Sequence, residues 1–128
     1  MSRVNIVRFL LFVYLVVVLV VTIIPTGSSG KSLNNITVLS LRADYLIHAL
    51  IFLPLVPLWK VTFPRHRLWW VMLIGFVIAA LAEISHYYLP YRAYNVNDLL
   101  FNMLGVLLGG LAVFLMIPHQ NKQFKNKV

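Results

Sequence analysis

Four long apolar runs constrain this chain more than any other feature of its sequence. They cover residues 6–24, 43–59, 68–89 and 98–117. A helix needs about 20 mostly apolar residues to cross the hydrocarbon core of a bilayer. Only 11% of the residues are charged and 61% are hydrophobic, whereas soluble domains carry about 25% charged residues. The sequence therefore predicts an all-α fold, an integral membrane four-helix bundle.

The distribution of Lys and Arg predicts the direction of the spans. Loops rich in positive charge stay in the cytoplasm. One side of a four-span bundle receives eight basic residues: Arg3, Arg8, Lys60, Arg65, Arg67, Lys122, Lys125 and Lys127. The other side receives Lys31, Arg42 and Arg92. We therefore expect both termini to be cytoplasmic, with two loops outside.

The net charge of +8 does not indicate a nucleic-acid partner. A nucleic-acid-binding protein clusters Lys and Arg on one face that meets phosphates, whereas here these residues flank apolar runs. The chain has no cysteine, which excludes disulfides and thiolate chemistry. An alternative for the first run is a cleaved signal peptide, because it follows a basic start and precedes the small residues Ser28, Ser29 and Gly30.

Two local features modify this picture. Pro54 and Pro57 are expected to bend the second span, since proline lacks the N–H of a helical hydrogen bond. Leu33, Ile36 and Leu39 recur at a spacing of three, which favours a short helix on the membrane surface before the second span.

All three acidic residues fall on the predicted outer side. Asp44 begins the second span, Glu83 lies late in the third and Asp98 begins the fourth. Residues three or four apart share a helix face, so Asp44 aligns with His48, Glu83 with His86, and Asp98 with Asn102. Ionisable groups in membrane spans face the bundle interior or water. The simplest packing turns these polar stripes toward one outer pocket, with Arg42 and Arg92 as counter-charges.

Each residue of this set also has a purely structural interpretation. Asp98 could be the N-cap of the fourth span, and Arg92 could form a structural ion pair with Glu83 or Asp98. His48 could be a core histidine, and Asn102 could tie two helices together. Gly105 and Gly109 form a small-xxx-small pattern that is typical of close helix packing.

The motifs at these positions resemble the VanZ-like family of small bacterial membrane proteins. One family pattern is Asp-x-x-x-His, which reads D44-Y-L-I-H48 here. The other is E-x-x-Q, an Arg, then D-x-x-D-x-x-x-N-x-x-G-x-x-x-G. Here it reads E83-I-S-H86, R92, then N95-V-N-D98-L-L-F-N102-M-L-G105-V-L-L-G109. Tyr45, His86 and Asn95 depart from the family's basic residue, Gln and first Asp.

The resemblance implies one VanZ-like transmembrane domain over residues 1–128, located as a multi-pass protein in the bacterial cytoplasmic (inner) membrane. The family's namesake is linked to low-level resistance to teicoplanin, which implies an antibiotic-resistance role accessory to the cell envelope. We therefore expect a site that recognises a lipid, a lipid-linked envelope molecule or a membrane-protein partner. Its expected ligand-binding residues are Arg42, Asp44, His48, Glu83, His86, Arg92, Asn95, Asp98 and Asn102.

Two other interpretations remain. An intramembrane enzyme could act on an envelope lipid, with Glu83 or Asp98 as general base and His48 or His86 as proton relay. No nucleophile elbow, phosphate loop or H-E-x-x-H motif accompanies them. Glu83-x-x-His86 also resembles half of a di-iron pattern, but the second copy is missing, so we expect no metal and no cofactor.

Overall fold

Four helices of this protein are long and apolar enough to cross a membrane. The computed structural model describes residues 3–25, 36–38 and 41–125, and the side chains of 38, 41 and 117–125 are left out of that description. The four spans are Arg3–Ile23, Ala43–Thr62, Leu68–Tyr88 and Val96–Met116. The predicted all-α membrane bundle is confirmed.

The helices follow the apolar runs closely. In chain order they are α1 (Arg3–Ile23), α2 (Ala43–Phe52), α3 (Leu55–Thr62), α4 (Leu68–Ile84) and α5 (Val96–Lys125). A 3₁₀ turn, Ser85–Tyr88, continues α4. α5 extends beyond the predicted limit at residue 117.

The second span is broken, as its prolines predict. α2 and α3 are separate helices because Pro54 and Pro57 cannot donate to the carbonyls four residues earlier. The Tyr14 hydroxyl donates to the Ile51 carbonyl near this break, at 2.6 Å. A neighbouring span therefore satisfies a backbone group beside the kink, as a membrane interior requires.

The prediction of a surface helix before α2 is wrong for the residues that the structure describes there. Thr37–Val38 (β1) and Leu41–Arg42 (β2) pair as a short antiparallel hairpin, with Thr37 opposite Arg42. Thr and Val have branched Cβ atoms that favour extended backbone, and the Ala43 N–H donates to the Ile36 carbonyl at 2.8 Å. Leu33 and Leu39 lie outside the described residues.

α5 is the centre of the bundle and packs against α2, α3 and α4. A Cβ atom placed on Gly105 would lie 2.2 Å from the Ala49 carbonyl oxygen, and one on Gly109 would lie 2.4 Å from that of Leu53. Both glycines therefore allow the backbones to touch, which is the packing role that the small-xxx-small pattern indicates.

Successive spans run in opposite directions, so the bundle has two distinct ends. The acidic end holds the start of α2, the end of α4 and the start of α5, with Asp44, Glu83 and Asp98. The basic end holds the start of α1 and the loop after α3, where Arg3, Arg8, Arg65 and His66 line one cleft. In α1 only Leu11 and Val18 are buried, so most of its apolar surface is open to lipid.

Candidate functional site

Six residues form a connected polar network at the acidic end, where α2, α4 and α5 meet. Its members are His86, Glu83, Asn95, Asp98, His48 and Asn102. All six belong to the set predicted from the sequence. The structure therefore brings the predicted residues of α2, α4 and α5 to one level, as their spacing along the helices indicates.

The deepest part of the network is the pair of Glu83 and His86. Glu83 is 0% exposed and His86 is 4% exposed. His86 Nδ1 lies 3.1 Å from Glu83 Oε1, and His86 Nε2 lies 3.3 Å from the Thr22 carbonyl oxygen of α1. The turn from α4 into the 3₁₀ segment places His86 between its own helix and the end of α1.

Counting donors and acceptors fixes the net charge of this pair. The Thr22 carbonyl can only accept, so His86 Nε2 carries a proton. Glu83 Oε1 already accepts the Asn95 N–H at 3.0 Å, and its contact with Nδ1 needs a second proton on one of these two atoms. The pair is therefore either imidazolium with carboxylate or imidazole with carboxylic acid, and it is neutral overall. Neutrality explains how both groups are buried without a further counter-charge.

Asn95 connects this buried pair to α5. Its side-chain oxygen accepts the Asn97 N–H at 3.0 Å, and its amide Nδ2 donates to Asp98 Oδ1 at 3.0 Å. These contacts identify Asn95 as the N-cap of α5. The interpretation of Asp98 as N-cap is wrong, because Asp98 lies in the first turn, three residues later.

His48 of α2 meets two residues of α5. Its Nδ1 lies 3.0 Å from Asn102 Oδ1, and its Nε2 lies 3.7 Å from Asp98 Oδ2. Asn102 is 2% exposed, whereas the side chains of His48 and Asp98 are 21% and 13% exposed. Within the network, this pair therefore lies nearer the surface than Glu83 and His86.

Arg42 and Asp44 form an ion pair at the rim of the acidic end. Nε and Nη2 of Arg42 donate to the two carboxylate oxygens of Asp44. These hydrogen bonds raise the pKa of Arg42 above its usual value. The guanidinium also lies 4.6 Å from the ring centroid of Tyr45. Arg42 is thus a counter-charge to Asp44, as the sequence predicts.

Arg92 occupies a different place. Its Nη2 donates to the carbonyls of Val21 and Ile24, both at 2.8 Å. These carbonyls lie in the last turn of α1 and just after it, where backbone oxygens lack helical partners and attract positive charge. The ion pairs found among the described residues do not include Arg92, so the counter-charge that we expected for Glu83 or Asp98 instead caps α1.

Two buried polar atoms have no hydrogen-bond partner within the part of the chain that the structure describes. They are Glu83 Oε2 and Arg92 Nε. Such orphaned groups are few in native proteins, and each requires an explanation. Oε2 belongs to the carboxyl group at the base of the network, so the site retains unused capacity for a hydrogen-bond donor there.

Sequence reasoning missed four contributors to this end of the molecule, namely three backbone carbonyls and the side chain of Asn97. Arg92 contacts the carbonyls of Val21 and Ile24, and His86 contacts that of Thr22. These contacts could not be predicted because every residue has a backbone carbonyl. Asn97 donates to the Tyr45 hydroxyl at 3.1 Å and ties α5 to α2. The N-x-N-D stretch at 95–98 is the only signal that could have drawn attention to Asn97.

Metal ligation is the other chemistry that the Glu83-x-x-His86 pattern allows. Among the described residues, no three His, Asp or Glu side chains form a group that could hold a metal ion. Glu83 and His86 do lie together, but they bind each other and Asn95.

Comparison with protein families gives one match. The model of the VanZ/LLP1 family matches residues 11–117, a segment that contains all four spans' cores and the whole polar network. Searches among curated proteins and among solved structures each find no match. Because the family model covers most of the chain, this protein belongs to the VanZ/LLP1 family.

Proposed function

We propose that the acidic end is an extracytoplasmic site that recognises the polar part of a lipid or of a lipid-linked cell-envelope molecule. In a role of this kind the protein is accessory to envelope processes, including resistance to teicoplanin-type glycopeptides. The orientation in this proposal follows from the positive-inside rule. The structure supports it by collecting Arg3, Arg8 and Arg65 at the end opposite the acids.

The observation that carries this proposal is the His48–Asp98 pair. It joins two spans at 3.7 Å and is partly exposed, whereas the groups behind it are fully buried. A polar network inside a membrane bundle is costly and usually marks a functional site. Its depth and accessibility suit a headgroup that enters from the membrane surface.

The chemistry of the network favours hydrogen-bond donors as ligands. Arg42 is paired with Asp44, and Arg92 contacts α1 carbonyls. The groups that face a ligand are then the Asp98 carboxylate and the His48 imidazole, which are partly exposed. These groups accept hydrogen bonds from sugar hydroxyls or from an ammonium group. Among the described residues at this end, Arg42 at the rim is the cation placed to bind phosphate.

Native mass spectrometry of the gently extracted protein tests this proposal. We would compare wild type with Asp98→Asn, which keeps an oxygen for Asn95 but removes the charge. Asn97→Ala is the matched control, since it alters the same exposed turn outside the network. A defined lipid or envelope precursor should accompany wild type and the control and be lost in Asp98→Asn. If all three carry the same companions, or none, the recognition role is wrong.

The same pair favours one form of the enzymatic alternative. A carboxylate beside an imidazole is a suitable general acid–base pair, and His48 and Asp98 are reachable. Glu83 and His86 are buried and bound to each other, so of the four candidates they fit a supporting role. Full turnover of envelope lipids by an Asp98→Asn variant would exclude catalysis through this pair.

A further inference from the structure

A second site lies at the basic end, across the bundle from the polar network. A cleft of about 690 Å³ opens between the start of α1 and the loop that follows α3. Its basic lining residues are Arg3, Arg8, Arg65 and His66, and the remaining walls are mostly apolar. The cleft is therefore amphipathic, with cations and aliphatic surface in contact with the same space.

Within the part of the chain that the structure describes, the arginines of this cleft form no ion pair with an acidic side chain. The sequence contains three acidic residues, and all three lie at the acidic end. None of the ion pairs of the described residues involves Arg3, Arg8 or Arg65. Three like charges around one opening repel each other, and the repulsion grows where apolar walls exclude water. An anion from outside the protein would remove it.

The loop that carries half of the cleft is held in a fixed shape. Lys60 Nζ donates to the carbonyls of Pro64 at 2.8 Å and of His66 at 2.6 Å. The Trp59 indole N–H donates to His66 Nδ1 at 3.0 Å, and the rings of Phe63 and His66 stack at 5.1 Å. Because Nδ1 accepts, Nε2 is the ring nitrogen that carries the proton in neutral His66 and can donate to a ligand.

We propose that this cleft binds the phosphate group of an anionic lipid. Guanidinium groups bind phosphate through paired hydrogen bonds, and basic pockets between membrane helices accept anionic lipid headgroups. The apolar walls supply contact for the glycerol and the first acyl carbons. A lipid bound here connects Arg3 and Arg8 of α1 with Arg65 of the loop, and so fastens α1 at the end opposite Arg92. A soluble phosphate ester has the same anion but no acyl chain.

Binding can be measured with the full-length protein in neutral detergent. The probes are short-chain phosphatidylglycerol, short-chain phosphatidylcholine, glycerol phosphate and inorganic phosphate. Tryptophan fluorescence is the readout, since Trp59 contacts His66 directly. We expect the phosphatidylglycerol dissociation constant to rise about fivefold in Arg8→Gln and in Arg65→Gln, the effect of one basic residue near a lipid surface. Arg67→Gln removes the same charge two residues away, outside the cleft, and should change it less than about twofold.

Three outcomes would overturn the proposal. Equal binding of phosphatidylcholine would exclude recognition of negative charge. Equal effects of Arg65→Gln and Arg67→Gln would mean that only the general surface charge matters. Binding of glycerol phosphate or inorganic phosphate as tightly as the lipid would identify a soluble anion as the ligand. Unchanged tryptophan spectra of the unliganded variants serve as the folding control. None of these results bears on the site at the acidic end.

Discussion

Glu83 Oε1 accepts the backbone N–H of Asn95 at 3.0 Å, so the end of α4 is hydrogen-bonded to the N-cap residue of α5. The same oxygen contacts His86, which reaches the Thr22 carbonyl of α1. One buried carboxyl group thus organises three of the four spans at the acidic end.

Glu83→Gln should strongly destabilise the fold. In the imidazolium–carboxylate form of the pair, removing one member costs about 3–5 kcal/mol because the other member is left without compensation. Steric-trap unfolding in bicelles would measure this loss. Adding His86→Gln should cost little more, since the uncompensated charge is then gone. Asp44→Asn, the same change in the partly exposed rim pair, should cost about 0.2–1 kcal/mol. Equal losses in Glu83→Gln and Asp44→Asn would contradict the buried-pair description.

Gly105→Ala should destabilise the bundle more than Gly110→Ala. The new Cβ at 105 would meet a backbone carbonyl, whereas at 110 it would meet the side chain of Met72, which can move. Overpacking of this kind costs about 1–3 kcal/mol, and alanine returns about 0.8–1 kcal/mol of helix propensity at either position. Gly110→Ala is therefore expected to be close to neutral. A lower unfolding midpoint for Gly110→Ala than for Gly105→Ala would show that α5 does not approach α2 through Gly105.

Arg92→Ala should loosen the end of α1. Each hydrogen bond from a charged donor contributes about 1.5–3 kcal/mol, and Arg92 makes two to carbonyls of α1. Hydrogen exchange should accelerate in the last turn of α1 while the amides of α5 stay protected. Arg92→Lys keeps the charge without the forked donor and should give an intermediate rate. Uniform acceleration along all helices would instead indicate global destabilisation.

The proposed orientation predicts a labelling pattern. Because the chain has no cysteine, single introduced thiols report on their own positions. Tyr88→Cys, at an 83% exposed residue of the acidic end, should react with an impermeant maleimide in intact cells. Pro64→Cys, in the loop of the basic end, should react only after permeabilisation. The opposite pattern would place the polar network on the cytoplasmic side.

Asn95→Asp restores the acidic residue of the family pattern. This change should make the thermal stability of the protein depend on a bound cation. Asn95 Nδ2 lies 3.0 Å from Asp98 Oδ1, so the change replaces a donor by a second carboxylate. Two unit charges 4 Å apart near a protein surface repel by about 4 kcal/mol. Thermal stability should fall in the presence of a chelator and recover with millimolar Ca²⁺ or Mg²⁺. Asn95→Ala, which loses the contact without adding charge, should not respond to the cation.

The bundle could be predicted from the sequence because lipid leaves few choices. Apolar runs of spanning length must be helical, and two prolines indicated the break in the second span. The position of the acidic residues at one end of the bundle followed from helix periodicity and from the alternating direction of successive spans. The partners of Arg92 could not be predicted, since an arginine near two acids is expected to pair with them. The carbonyls at the end of α1 have no helical N–H partner and compete for that guanidinium. Because every residue has a backbone carbonyl, the sequence does not show where such groups lie.

The division of the site into a buried and an accessible part also escaped prediction. Each of the two acidic residues lies beside a histidine. Glu83 lies beside His86, three residues later in the chain, and Asp98 lies beside His48 on a facing helix. Their exposure differs because the 3₁₀ turn after α4 places His86 between Glu83 and the Thr22 carbonyl of α1, whereas His48 lies in a regular helix and is partly exposed. That turn begins at Ser85, and nothing in the run E-I-S-H-Y-Y distinguishes it from a further turn of α-helix.

The cap that Arg92 places on α1 has an evolutionary consequence. Every amino acid carries a backbone carbonyl, so Val21 and Ile24 can be exchanged for other apolar residues without loss of either hydrogen bond. The first span is then free to diverge in identity while its end stays fixed in space. Distant members of the family should keep the arginine and the helix position, with varied apolar residues where the two meet.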